Sequence, residues 1–200
     1  MQALSFFRRT VRVAASIATV FCLMAGAAAQ STASAQRADF SKLVNLSATR
    51  LEISRKVALT KWDTGHPVSD PPGDPREKAV IDSAAAEGVD RGLSSELVTA
   101  FFADHIEASK LIQIGLIANW RRTGQVPTEP RADLAAELRP ALDRLRSLLL
   151  EELNATQTLR AQPGCKTQVA IAAAAHAKAH GLTPLFAVAL DRGLARVCGD

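Results

Sequence analysis

Residues 43–62, LVNLSATRLEISRKVALTKW, decide the fold. At 100° per residue, Leu43, Leu46, Ile53 and Val57 all lie within about 60° of Arg50, and Lys61 lies about 20° from it. Glu52, Arg55 and Lys56 fall on the opposite side. The stretch reads as an amphipathic helix whose apolar stripe carries two cations. Burying a lone cation is costly, so Arg50 and Lys61 must meet an anion or reach water along their own stems.

Apolar positions recur at helical spacing through the rest of the chain, β-branched residues are scattered and tyrosine is absent. The expectation is an all-α fold: a single helical domain of about six helices, three long and the C-terminal ones shorter, with one disulfide. The first helix covers about 38–62 and ends at the Asp63-Thr64-Gly65-His66-Pro67 turn. After a Pro/Gly/Asp loop, a second covers about 75–87, with Pro75 in the first turn and Gly88 as its stop. Ser94 or Ser95 caps a third that reaches about residue 122. A fourth covers about 131–159, with Pro140 as a kink or restart, and two shorter helices cover about 166–180 and 184–197.

The third helix repeats the anomaly of the first in neutral form. Phe102, Ile106, Leu116, Ile117 and Trp120 lie within about 60° of Gln113, and Ser109 joins them one turn back. This polar pair points inward and needs partners that its own face does not supply. A structural ion pair explains one such helix; cations on one helix and donors on another point to a site.

The N-terminus reads as a secretory signal covering residues 1–35. Arg8, Arg9 and Arg12 form its basic region, and residues 13–29 carry no charge. Small-residue cleavage patterns end at Ala29 and at Ala35, and Ala35 is the preferred site. General secretion fits better than a twin-arginine route, and the run is short for a membrane anchor. The mature chain, 36–200, is therefore expected in the periplasm or secreted, with no membrane association once the signal is removed. Of 24 basic and 20 acidic residues, three arginines leave with the signal, so the mature net charge is +1. With 4% aromatics and no basic block, nucleic acid is not an expected partner.

Cys22 lies within the signal, which leaves Cys165 and Cys198 to form one disulfide across the last helical hairpin. His66, His105, His176 and His180 do not cluster with the cysteines, so no metal site is expected. His176 and His180 could chelate at their i, i+4 spacing, but a solvated helix face is the preferred reading. The set of inward-facing polar residues also lacks a nucleophile paired with a base, a carboxylate pair and a phosphate loop. What remains is a site that binds an anion with hydrogen-bond donors.

TRLEISRKVALTKW at 49–62, PREKAV at 75–80 and the Ser109/Gln113 pair together resemble the all-helical chorismate mutases. The export signal, the helical tail and the two cysteines are similar to the secreted, periplasmic class of that family. The resemblance implies rearrangement of chorismate to prephenate, a pericyclic reaction of a dianion without cofactor or covalent intermediate, in a homodimer. It implies substrate-binding roles for Arg50, Lys61, Arg76, Glu77, Ser109, Gln113 and Arg139, with Lys61 and Gln113 as catalytic donors to the ether oxygen. Asp70 matches the family's loop aspartate, with Asp74 as the alternative. A helical binding or effector protein without catalysis is the competing reading.

Overall fold

The structure is a computed structural model that describes residues 39–69, 71 and 75–198. The expected signal with both cleavage positions, Cys22, Asp70 and Asp74 lie outside the described residues. Helices are α1 (Ser41–Thr64), α2 (Arg76–Asp90), α3 (Ser95–Thr123), α4 (Arg139–Ala155), α5 (Gln157–Arg160), α6 (Cys165–His180) and α7 (Pro184–Leu194), and no strand occurs among the described residues. A π-helical turn, Leu134–Leu138, leads into α4.

The long α3 is the hub, packing against α1, α2 and α7, while α4 closes over α1 and α2. Ser94 caps α3 by accepting from the Leu97 N–H at 3.2 Å, and Gly124, at φ 68°, ends it in a conformation that side chains avoid. Phe101, Phe102, Ile112, Leu149 and Leu150 fill the center and are almost wholly withdrawn from water. A smaller apolar group of Ala58, Leu59, Ile117 and Trp120 sits at the far end of α1, where Trp62 meets Trp120 edge-on at 5.9 Å. No described helix is long and apolar enough to cross a membrane.

Two boundary expectations are corrected. Gly88 does not stop the second helix but lies buried inside it, because α2 and α3 approach so closely there that a Cβ would stand 2.6 Å from Val98 Cγ2. The fourth helix is not continuous over 131–159. Asp133 caps the chain by accepting from the N–H groups of Ala135 and Ala136 at 2.7 and 2.6 Å, and the next turn is wide. Leu138 N–H reaches Asp133 O at 3.0 Å and Arg139 N–H reaches Leu134 O, both five residues back. Pro140 explains the widening: it has no N–H to give, and its ring would crowd the carbonyl four residues earlier in a regular helix.

At the C-terminal end Cys165 and Cys198 form the expected disulfide, with 5.9 Å between Cα atoms. Asp104 of α3, wholly buried, accepts from Arg192 on α7 and from Arg196 just beyond it. Burial alone would raise this carboxyl, but the bonds from Arg196 and Arg192 hold it below the ordinary carboxylate value. The solvated face read for His176 and His180 holds only for His180. His176 is half-buried, its Nδ1 lies 2.7 Å from Asn45 Oδ1, and its ring stacks on His180 with centroids 4.2 Å apart.

Candidate active site

Arg50 is placed by the stripe that α1 turns toward α3 and α4, and it is 6% exposed. Its Nε is buried and meets no hydrogen-bond acceptor among the described residues. Burial, reinforced by the like charge of Arg146 and opposed by Asp143, pulls its guanidinium down to about 10. Phe102 offers its ring face 6.0 Å from the guanidinium carbon. Behind it lies His105, held neutral well below the ordinary histidine value by burial and by the Arg50 charge. Ser47 Oγ stands 3.4 Å from His105 Nε2, but both are buried and line neither cleft described below, so the pair is no hydrolytic dyad.

Arg50 opens onto a cleft of about 320 Å³ between α1, α2, α3 and α4, floored by Phe102 and Ile106 and lined also by Arg76, Glu77, Arg139, Asp143 and Arg146. Four guanidinium groups thus face two carboxylates. Both acids are engaged: Glu77 accepts from Lys110 at 2.7 Å and Asp143 from Arg146 at 2.9 Å. A second cleft of about 720 Å³ adjoins through Arg76 and Arg139, which line both, and it is walled by Lys61, His66 and Arg131. Lys61 Nζ donates to the Val68 carbonyl at 2.8 Å.

Ser109 and Gln113 line neither of these clefts. They form a polar cluster in which Ser109 Oγ accepts from Ser54 Oγ at 2.8 Å and from Gln113 Nε2 at 3.1 Å. The partner that their own helix face lacked comes from α1. Gln113 is 5% exposed, and its Oε1 is buried without a partner. The structure thus brings Arg50, Arg76, Glu77 and Arg139 to one cleft and Lys61, Arg76 and Arg139 to its neighbour; Asp70 lies outside the described residues.

Ser54 and Arg146 were missed by the sequence reading. Ser54 follows Arg50 by four residues and so shares the apolar stripe, and that spacing is the signal that marks it. Arg146 stands in a segment dense in charge, 139–146, yet Leu142, Leu149, Leu150 and Leu153 lie within about 60° of it, and that apolar stripe is the signal that marks it.

An all-helical domain that gathers four guanidinium groups around a small cleft, with no nucleophile and base paired among the described residues lining it, has the features of an anion-binding helical protein. Residues 40–114 match the chorismate mutase type II family. The crystal structure of a chorismate mutase from Burkholderia phymatum is 40% identical, with a TM-score of 0.77, over 80% of this chain and 96% of that one. That from Burkholderia thailandensis is 34% identical, with a TM-score of 0.74, over 80% and 98%. The secreted chorismate mutase of Mycobacterium tuberculosis is 27% identical over 158 residues, 78% of this chain and 77% of the relative. The chain belongs to the chorismate mutase family.

Proposed function

We propose that the protein converts chorismate to prephenate in the cleft lined by Arg50, Arg76, Glu77 and Arg139. The observation that carries this is the buried Arg50 guanidinium with an unmet Nε, in a cleft whose cations outnumber its acids by two. A dianion matches that excess, and a unimolecular rearrangement needs no nucleophile or metal.

Two effects supply the rate. Cations fixed on α1, α2 and α4 hold the two carboxylates so that the extended substrate folds onto itself in its reactive conformer. Donors aimed at the breaking ether oxygen then stabilise the charge that grows there. Lys61 is the charged donor and turns from the Val68 carbonyl to the substrate. Gln113 is the neutral donor. With its amide turned over, Oε1 accepts a hydrogen bond from the Ser109 hydroxyl and Nε2 takes the unpartnered position, free to donate. Glu77, held near Lys110, accepts from the substrate hydroxyl, and Asp70 takes the part of the family's loop aspartate.

We further propose export of residues 36–200 after signal removal, as the names of the secreted relatives suggest, and assembly as a homodimer. The four cleft arginines lie close enough on one chain to line a single cleft, which supports a site built within each protomer. The test is the loss of chorismate absorbance on adding purified protein. Turnover supports the reading; binding without turnover supports a non-catalytic relative, and neither would defeat both.

A further inference from the structure

α4 presents two arginines on one face, Arg139 and Arg146, and both line the cleft that Arg50 lines. Seven residues of helix separate them, about 20° in azimuth and about 10 Å along the axis. Arg139 is exposed at the junction with the π-helical turn, whereas the Arg146 side chain is 22% exposed and fixed. Its Nε donates to Glu87 Oε2 of α2 at 3.0 Å, and its Nη1 donates to Asp143 at 2.9 Å. Glu87 is itself anchored, accepting from Arg91, just past the end of α2, at 2.9 Å and from Ser147 of α4 at 2.5 Å.

A guanidinium carries five N–H groups in a fixed fork, and these bonds use two of them. An arginine kept only to bridge α2 and α4 gains nothing from facing a buried cation. Arg146 does face one, and its charge and that of Arg50 disfavour each other across a cleft of about 320 Å³. An anion between them removes that conflict. Without Arg146 the cleft's excess positive charge falls from two to one, and the match to a dianion is lost.

We infer that Arg146 is a further substrate-binding residue, sharing with Arg50 one carboxylate of the dianion, and that Glu87 is the positioning residue that aims it. The inference rests on the reading of this cleft as the chorismate site. Two planar forks on one carboxylate restrict its rotation as well as its position, which a single fork does not.

Steady-state kinetics with chorismate at low ionic strength test this, using the full chain expressed and processed by its host, with Arg50→Ala as the control for the cleft. Arg146→Gln should raise KM by about tenfold or more with kcat within about threefold, because the lost contact is remote from the breaking bond. Arg146→Lys, which keeps the charge and loses the fork, should raise KM by about threefold or more. Glu87→Gln should move KM in the same direction, a change that a purely structural bridge would not produce. If Arg146→Gln does not fold, Arg146→Lys decides. A wild-type KM in the folded variants while Arg50→Ala is impaired overturns the role of Arg146 and leaves the cleft assignment standing. Failure of the unmutated protein to consume chorismate, or full activity of Arg50→Ala, overturns the cleft assignment and this inference with it.

Discussion

Arg50 and Gln113 each bury a polar position that nothing among the described residues meets, Nε of the first and the outer amide atom of the second. Leaving such a group unpaired costs about 1–3 kcal/mol, and more for a charged one, so a ligand that accepts from Arg50 Nε and from the turned Gln113 amide recovers what folding forgoes. Lys61 differs, because the Val68 carbonyl already engages its ammonium and the substrate must compete for it. Lys61→Ala should lower turnover by about 100-fold or more, the loss typical of one pre-organised donor, while the helical circular dichroism stays unchanged. Near-normal turnover would remove Lys61 from the chemistry. Gln113 donates at every pH, whereas a glutamate there donates only when protonated. Activity should therefore be nearly flat from mildly acidic to neutral pH in the native protein, and Gln113→Glu should confine it to acid. An unchanged pH–rate profile in that variant would count against contact with the ether oxygen.

Helix positions were legible because period 3.6 survives in the sequence, and the polar residues of α1 and α3 stood out against apolar neighbours. Gly88 shows where such reading stops. Glycine commonly ends helices, and only the distance to Val98, a property of two helices together, reveals that this one permits contact instead. Pro140 likewise announced a disturbance without its form; the wide turn depends on how Asp133 caps the segment before it. Arg146 carried the same signal as Arg50, since Leu142, Leu149, Leu150 and Leu153 lie within about 60° of it on α4, but the charges beside it in sequence, Arg139, Asp143 and Arg144, masked that stripe. The packing at Gly88 yields a prediction against the usual trend. Alanine normally stabilises a helix relative to glycine by about 0.5–1 kcal/mol. Here the new methyl meets Val98, itself wholly buried on α3, and overpacking of this kind costs about 1–3 kcal/mol. Gly88→Ala should lower the urea midpoint of unfolding, and a raised midpoint would show that α2 and α3 separate easily.

Over the whole molecule, the cleft is built from α1, α2, α3 and α4, while the Asp104 pairs fasten α7 to α3 and the disulfide ties the start of α6 to the chain just past α7. Stability and chemistry therefore separate in space. The bridge spans 33 residues, for which the chain-entropy relation gives about 3–4 kcal/mol. Reduction should lower the free energy of unfolding in urea by that amount while kcat of the folded, reduced protein stays unchanged. Loss of activity in protein that is still folded would show that the C-terminal hairpin shapes the cleft. The excess of cations has one more effect. An isomerisation alters neither the number of carboxylates nor their charge, so the product leaves the reaction as attractive to four arginines as the substrate was on arrival. Electrostatics gathers both alike. Discrimination must then come from the changed outline of the carbon skeleton, and clearing the cleft becomes a contest between retained charge and lost fit.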